Sequence, residues 1–190
     1  MQDFFIQDKD YKNLNFSKDK LHKGEYENCT FTNCNFSNKN LSGYEFIECE
    51  FINCDLSLCP INDTAFKEIQ FIECKLVGLH FDTCNTFLLE MEFVSCQLNL
   101  ASFYKLNLPK TKFKDCKLIE VDFIETNLTA SVFENCDLHL AQFEYSILEK
   151  VDFRTAINYN INPETNKISK AKFSLSNIHG LLTKYNIDIE

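Results

Sequence analysis

The sequence predicts an all-β solenoid, a coil of four short straight sides with five residues to each side. Three observations predict it. First, Phe31, Phe51, Phe71, Phe93, Phe113, Phe133, Phe153 and Phe173 stand 20, 20, 22, 20, 20, 20 and 20 residues apart. A fixed period of that length puts one residue at the same place in every turn of a stacked coil. Second, an apolar residue recurs at every fifth position from Tyr26 through Phe31, Phe36, Leu41, Phe46, Phe51, Leu56, Ile61, Phe66, Phe71 and Leu76 to Phe81. After a slip of two residues the run resumes as Leu88, Phe93, Leu98, Phe103 and onward to Phe153. Five fits neither the helical nor the strand period. Third, the position two residues before each apolar one is mostly small: Cys29, Cys34, Cys49, Cys54, Cys59, Cys74, Cys96, Ala101, Thr111, Cys116, Thr126, Ser131, Cys136, Ala141 and Ser146, with Lys39, Tyr44 and Ile69 as exceptions. One large and one small inward residue per side fill a narrow interior. The remaining positions are largely Asn, Asp, Glu, Lys and Ser, as a solvated outer wall requires.

At 190 residues the chain has the length of one domain. The repeat assigns residues 1–156 to the β-helix, and 157–190 to a partial last coil followed by a helix and a strand. Residues 157–163 leave the five-residue pattern, and Pro163-Glu-Thr-Asn166 reads as a turn. Ile168 to Phe173 return to register. Ile178, Leu181, Leu182 and Tyr185 then follow the spacing of one apolar helix face. Ser174 or Ser176 is placed to cap its start and Asn186 to end it. Ile187 and Ile189 alternate around Asp188, the pattern of a closing strand. A solenoid ends in an open apolar cross-section with unpaired backbone edges, so it needs a cap. The helix can cover that end within one chain, or pair with a second copy across a two-fold axis.

The ten cysteines obey the repeat register. Cys34, Cys54, Cys74, Cys96, Cys116 and Cys136 fall on one face as a six-rung stack, and Cys84 holds the register that precedes the slip. Parallel rungs keep Cβ atoms near 4.8 Å apart, wider than the roughly 3.8 Å of a disulfide. A line of thiols does not converge on one point as a zinc site demands. The cysteines therefore read as small buried hydrophobes in a reducing compartment. The first residues, Met1-Gln2-Asp3-Phe4-Phe5, lack the basic start and apolar core of a secretory signal, and no run approaches a membrane span. The expectation is a cytoplasmic protein that makes no membrane contact.

No motif of an enzyme is present: no GxSxG, HExxH, phosphate loop or dinucleotide fingerprint. His22, His80, His139 and His179 are widely separated. The reading is a non-enzyme without cofactor or metal. The net charge of −9, from 28 acids against 19 Lys and Arg, disfavours direct nucleic-acid binding, which needs positive charge. It favours a basic partner. Folding the count onto four faces puts Glu25, Glu27, Glu45, Glu48, Glu68 and Glu90 on one face, the candidate partner-binding patch. The two extra residues, between Phe81 and Leu88, would make a bump on one corner.

Blocks such as Cys-Thr-Phe-Thr-Asn at 29–33, Cys-Asn-Phe-Ser-Asn at 34–38 and Cys-Asp-Leu-Ser-Leu at 54–58 resemble the pentapeptide-repeat family over roughly residues 16–156. That resemblance implies a right-handed quadrilateral β-helix. Within the family the chain is most similar to the quinolone-resistance (Qnr- and MfpA-like) group. Its tail carries Phe153-Arg-Thr-Ala, Lys170-Ala-Lys-Phe-Ser174 and Leu181-Leu-Thr-Lys-Tyr185, which are similar to tails of Qnr-like and immunity-type members. The resemblance implies an acidic rod that mimics a DNA duplex and binds type II DNA topoisomerases (DNA gyrase or topoisomerase IV), sometimes protecting them from quinolones or peptide toxins. It also implies a homodimer joined through the C-termini, with Ile178, Leu181, Leu182 and Tyr185 at the contact. The alternative is a pentapeptide-repeat scaffold for another protein. Seven to eight coils make a rod roughly 35 Å long, over which duplex DNA carries about 20 charges, so a net −9 supplies about half the density of DNA. Qnr members that protect gyrase well carry longer projecting loops, where this chain has only the slip. Simple competition with DNA, or protection from another toxin, is then what the group's behaviour implies.

Overall fold

A computed structural model describes residues 4–188. It contains eleven short strands among the described residues: β1 (Phe4–Gln7), β2 (Asp10–Lys12), β3 (Gly24–Glu27), β4 (Thr30–Thr32), β5 (Glu45–Ile47), β6 (Glu50–Ile52), β7 (Ala65–Lys67), β8 (Ile69–Ile72), β9 (Met91–Val94), β10 (Lys112–Lys114) and β11 (Val132–Glu134). They stack in parallel into two sheets, β1-β3-β5-β7 and β11-β10-β9-β8-β6-β4-β2. Isolated parallel bridges such as Asn35↔Asp55 and Ser102↔Asp122 mark the other two sides. The result is a four-sided parallel β-solenoid.

The corners explain the five-residue unit. A residue with positive φ closes each side, among them Asn28, Asn33, Asn38, Gly43, Glu48, Asn53 and Leu58. Asn and Asp are common there because their side chains tolerate the left-handed region. One position before the inward residue, an Asn or Asp oxygen accepts the main-chain N–H two residues on, as Asn35 does from Ser37 at 2.9 Å and Asp55 from Ser57 at 2.9 Å. The side chain thereby fixes the turn locally.

Inside, the phenylalanines form two long stacked columns and, with Tyr26, a shorter third through Phe46 and Phe66. Phe113 lies 5.1 Å from Phe93 and 4.8 Å from Phe133, face to face, and meets Phe103 and Phe123 edge-on at 5.9 and 5.8 Å. Both geometries suit the aromatic quadrupole. The small inward residues supply donors. Cys54 Sγ donates to Phe31 O at 3.2 Å and Cys74 Sγ to Phe51 O at 3.1 Å. Thr126 and Ser146 hydroxyls do the same for Phe103 O and Phe123 O, at 2.8 and 2.7 Å. Each reaches the large inward residue of the previous coil. Cys, Ser and Thr thus interchange because the position asks for a compact side chain with one hydrogen to give. Of the exceptions, Tyr44 is buried with its hydroxyl donating to Leu21 O, and Lys39 keeps its stem along the wall and donates from Nζ to Asp19 O.

All ten cysteines are buried free thiols. Burial pushes Cys49 and Cys59 from 9.0 up to about 12. A thiol whose folded value is raised contributes stability that is complete below the unfolded value and is lost as pH climbs from about 9 towards 12. The urea midpoint at pH 10 is therefore expected to fall below that at pH 7.5 by the equivalent of about 3 kcal/mol. An unchanged midpoint contradicts the raised thiols.

Three expectations change. The slip lies later than the spacing placed it: Ala65 pairs with Asn85 while Ile69 pairs with Met91. Leu88 is therefore not an inward residue. It is a corner residue at φ 57, 65% exposed. Leu89 and Glu90 are the inserted pair, and Leu89 packs against the core. The C-terminal helix is present but is a 3-10 helix, Leu175–Leu181, continued by a second short turn, Thr183–Tyr185. Gly180 sits so close to Tyr159 that a methyl group there would overlap the Tyr159 carbonyl oxygen, and its own carbonyl accepts the Ile161 N–H at 2.9 Å. This docking ties the segment to the last coil through a main-chain bond as well as through apolar contact. Ser174 stands at the start without making a side-chain cap bond, and Asn186 ends the segment at φ 49. The closing strand is absent at Ile187, which is exposed coil; Ile189 lies outside the described residues. Phe173 does return to register, stacking on Phe153 at 5.4 Å.

Candidate protein-interaction face

The six glutamates fall on one side and its adjoining corner. Glu25 and Glu27 project from β3 and are half-buried, and Glu45 projects from β5 directly in register with Glu25. Glu48 and Glu68 occupy the corner at φ 52 and 56, both exposed. Glu90 lies in the insertion, exposed, with its N–H donating to Phe66 O at 3.1 Å. Like charges stacked in register oppose folding, so the acids are not there for stability. Two are partly engaged. Lys67 Nζ meets Glu45 Oε2 at 3.2 Å, and Gln7 donates to Glu27 at 3.4 Å.

The corner column shows more than the face bookkeeping did. In chain order it reads Asn28, Glu48, Glu68, Leu88, Lys110, Ala130, Lys150 and Lys170, all at positive φ. Its sign changes at the slip. Glu50 and Glu92, one strand over on β6 and β9, extend the acidic side, and Lys112 pairs with Glu92 at 3.5 Å. Apolar spacing sets Leu88 inward and so hides the sign change along this column, while Glu50 and Glu92 belong to the neighbouring side. A signal was available. Asn85 accepts the Phe87 N–H at 3.0 Å, the same turn that Asn35 and Asp55 make, which places Thr86 at the inward register position and Leu88 at the corner.

The insertion also opens the wall. The column is bonded through its rungs at Asn28 N–H to Ile47 O, Glu48 N–H to Lys67 O and Lys110 N–H to Thr129 O, at 3.0, 2.8 and 2.9 Å. Among the described residues, the main chain of Thr86, Phe87 and Leu88 makes no such bond to residues 107–110. Pro109 has no N–H to give. A groove of about 800 Å³ lies here, with Glu48, Glu68 and Glu90 on one side, Leu88 and Pro109 along it and Lys110 at its far end.

At the C-terminus, Leu181 packs against the core, Ile178 and Leu182 are half-buried and Tyr185 is exposed, its hydroxyl donating to Glu164 at 2.8 Å. Lys184 pairs with the same Glu164. Leu175, which the spacing did not single out, is 92% exposed. Among the described residues no helix is long and apolar enough to cross a membrane.

The fold is similar to that of a trypsin-treated variant of QnrB1, a plasmid-mediated fluoroquinolone resistance protein, at 18% identity over 98% of this chain and 100% of that one, with a TM-score of 0.63. A second trypsin-treated QnrB1 variant gives 18% identity, 95% and 98% coverage and a TM-score of 0.62. HetL, a pentapeptide repeat protein involved in heterocyst differentiation regulation from the cyanobacterium Nostoc, aligns at 16% identity over 92% of this chain and 89% of its own, with a TM-score of 0.39. No curated protein matches the sequence. The profile of the pentapeptide repeat region matches residues 24–91, 44–123 and 86–162. With the repeat running through those spans, interrupted only by the two-residue insertion, and closed by the coil geometry above, the chain belongs to the pentapeptide-repeat family.

Proposed function

We propose that this chain is a non-enzymatic protein that binds a type II DNA topoisomerase through its acidic face, in place of DNA. The observation that carries the reading is the uneven charge of the rod. Residues 1–95 hold sixteen Asp and Glu against eight Lys, a net −8, whereas residues 96–190 hold twelve acids against eleven Lys and Arg. The N-terminal half spans roughly 22 Å of stacked coils, a length of duplex that carries about 13 charges. The acidic half therefore comes to more than half the density of DNA, while the whole rod averages less. A surface of that kind competes for a basic DNA-binding saddle, and it is steered there electrostatically. The likeness to QnrB1, named for fluoroquinolone resistance, supports the same direction. Direct binding of the purified protein to gyrase subunits, measured by interferometry with duplex DNA as competitor, tests it. Displacement by DNA is the expected result.

The C-terminal segment is the proposed homodimer contact, since Leu175, Tyr185 and Ile187 remain exposed beside the cap. A two-fold pairing there puts the acidic halves at the outer ends of a double rod. Sedimentation is expected to show a concentration-dependent dimer that Leu175→Lys converts to monomer. A concentration-independent monomer removes the contact.

A scaffold for another protein is the second reading. It is favoured by Leu58, Leu100 and Leu140, which stand 59%, 56% and 59% exposed along another corner and which a DNA mimic does not need. Loss of partner binding on changing these leucines, with the glutamates intact, would decide for it.

A further inference from the structure

We propose that the groove at the inserted residues seats an extended basic segment of the protein partner. The proposal rests on the reading of the acidic face as the partner surface, and it narrows that surface to one place and one chemistry. The groove is where the wall is open. The rungs beside Leu88 are unmade, since among the described residues no main-chain bond joins Thr86, Phe87 or Leu88 to residues 107–110. Its rim is acidic and uncompensated: among the described residues Glu48, Glu50, Glu68 and Glu90 form no ion pair with Lys or Arg. Leu88 adds an exposed apolar surface beside those carboxylates. Such a pairing suits a long basic side chain, whose stem lies on apolar surface while its head meets acid.

The protein already sets one lysine head between an exposed apolar side chain and an acid. Lys67 sets its Nζ 6.0 Å from the centre of the exposed Phe87 ring and 3.2 Å from Glu45. In the groove Lys112 is taken up by Glu92, while Glu48, Glu68 and Glu90 stand beside the leucine without an ion pair to a lysine among the described residues. Lys110 and Lys112 end the acidic stretch. They limit the occupant to a short basic run, which distinguishes it from a long polycation lying anywhere on the rod.

The geometry also offers variants that leave the fold intact. Leu88 has φ 57, where glycine is at ease and leucine is strained, so Leu88→Gly removes the side chain and is expected to melt no lower than the parent. Asn28 holds the same corner column at φ 49, so Glu48→Asn with Glu68→Asn follows the column's own precedent. Glu73 and Glu120 lie at φ 56 on other corners, and changing both to Asn removes the same charge elsewhere.

The experiment is fluorescence anisotropy at physiological salt with a labelled eight-residue peptide alternating Arg and Leu. The expected result is saturable binding to the intact protein, weakened at least tenfold by the Glu48/Glu68 pair, at least threefold by Leu88→Gly, and little by the Glu73/Glu120 pair. Absence of saturable binding overturns the proposal. Equal weakening by both glutamate pairs overturns it too, because it reports net charge alone, and so does an unchanged affinity in Leu88→Gly. The peptide is read without a topoisomerase. Failure of the peptide with intact gyrase binding therefore overturns the groove and not the acidic face. Peptide binding by the expected pattern without gyrase binding supports the groove and removes that target.

Discussion

Replacing Phe113 by alanine is expected to cost about 4 kcal/mol of stability. The side chain is fully buried and is clasped on four sides, stacked between Phe93 and Phe133 and edge-on to Phe103 and Phe123. Its loss leaves a void in the middle of a narrow interior, with no mobile element nearby to collapse into it. For a chain of this size the melting temperature should fall by roughly 8–16 °C. Phe113→Leu is the matched comparison. Leucine already stands at inward positions 98, 108, 118 and 128, so that change should cost under about 2 kcal/mol. Thermal melts of both variants check the pair. Equal, small losses would mean that the columns are not the principal source of stability. Because each coil touches only its neighbours, the damage should stay local, and hydrogen exchange should be faster around residues 93–133 than at either end.

The second large effect concerns binding. Glu45, Glu48 and Glu68 changed together to lysine should weaken association with the topoisomerase at least tenfold and flatten its salt dependence. The three sit on one face and its corner, the change is six charges, and steering by an acidic patch reverses sign when the patch does. Lys67 then lies beside a lysine instead of Glu45, so a modest loss of stability is expected and should be measured alongside. Unchanged affinity with an intact fold would remove these residues from the interface.

The repeat was legible because the interior is narrow enough that one residue type recurs at each inward place. Phe31 to Phe173, the fifth-residue apolar run and the small residues before it all report that constraint, and apart from Leu88 they landed where spacing put them. What spacing misread was Leu88, which is apolar yet lies at a corner with φ 57, in solvent, as Leu58, Leu100 and Leu140 do at another corner. Composition alone cannot separate a corner leucine from an inward one, and at the slip this sent Leu88 inward. The Asn85 turn was the local signal that fixed the register. The C-terminal segment was legible as a helix but not as a 3-10 helix, and the close approach of Gly180 to Tyr159, residues 21 apart, leaves no mark in the apolar spacing. The acidic face was legible as six residues. The groove, the sign change at Leu88 and the unmade rungs were not, since each depends on which coil the extra pair joins.

The central claim is that the acidic half of the solenoid takes the place of DNA on a type II topoisomerase. The most direct measurement is a gyrase supercoiling titration with the purified protein, with and without ciprofloxacin, run beside the triple lysine variant. Either inhibition of supercoiling without drug or rescue from the drug is expected, in a dose-dependent manner that the variant loses. No effect in either lane, with a folded protein and a gyrase from a suitable host, would contradict it and turn attention to the scaffold reading.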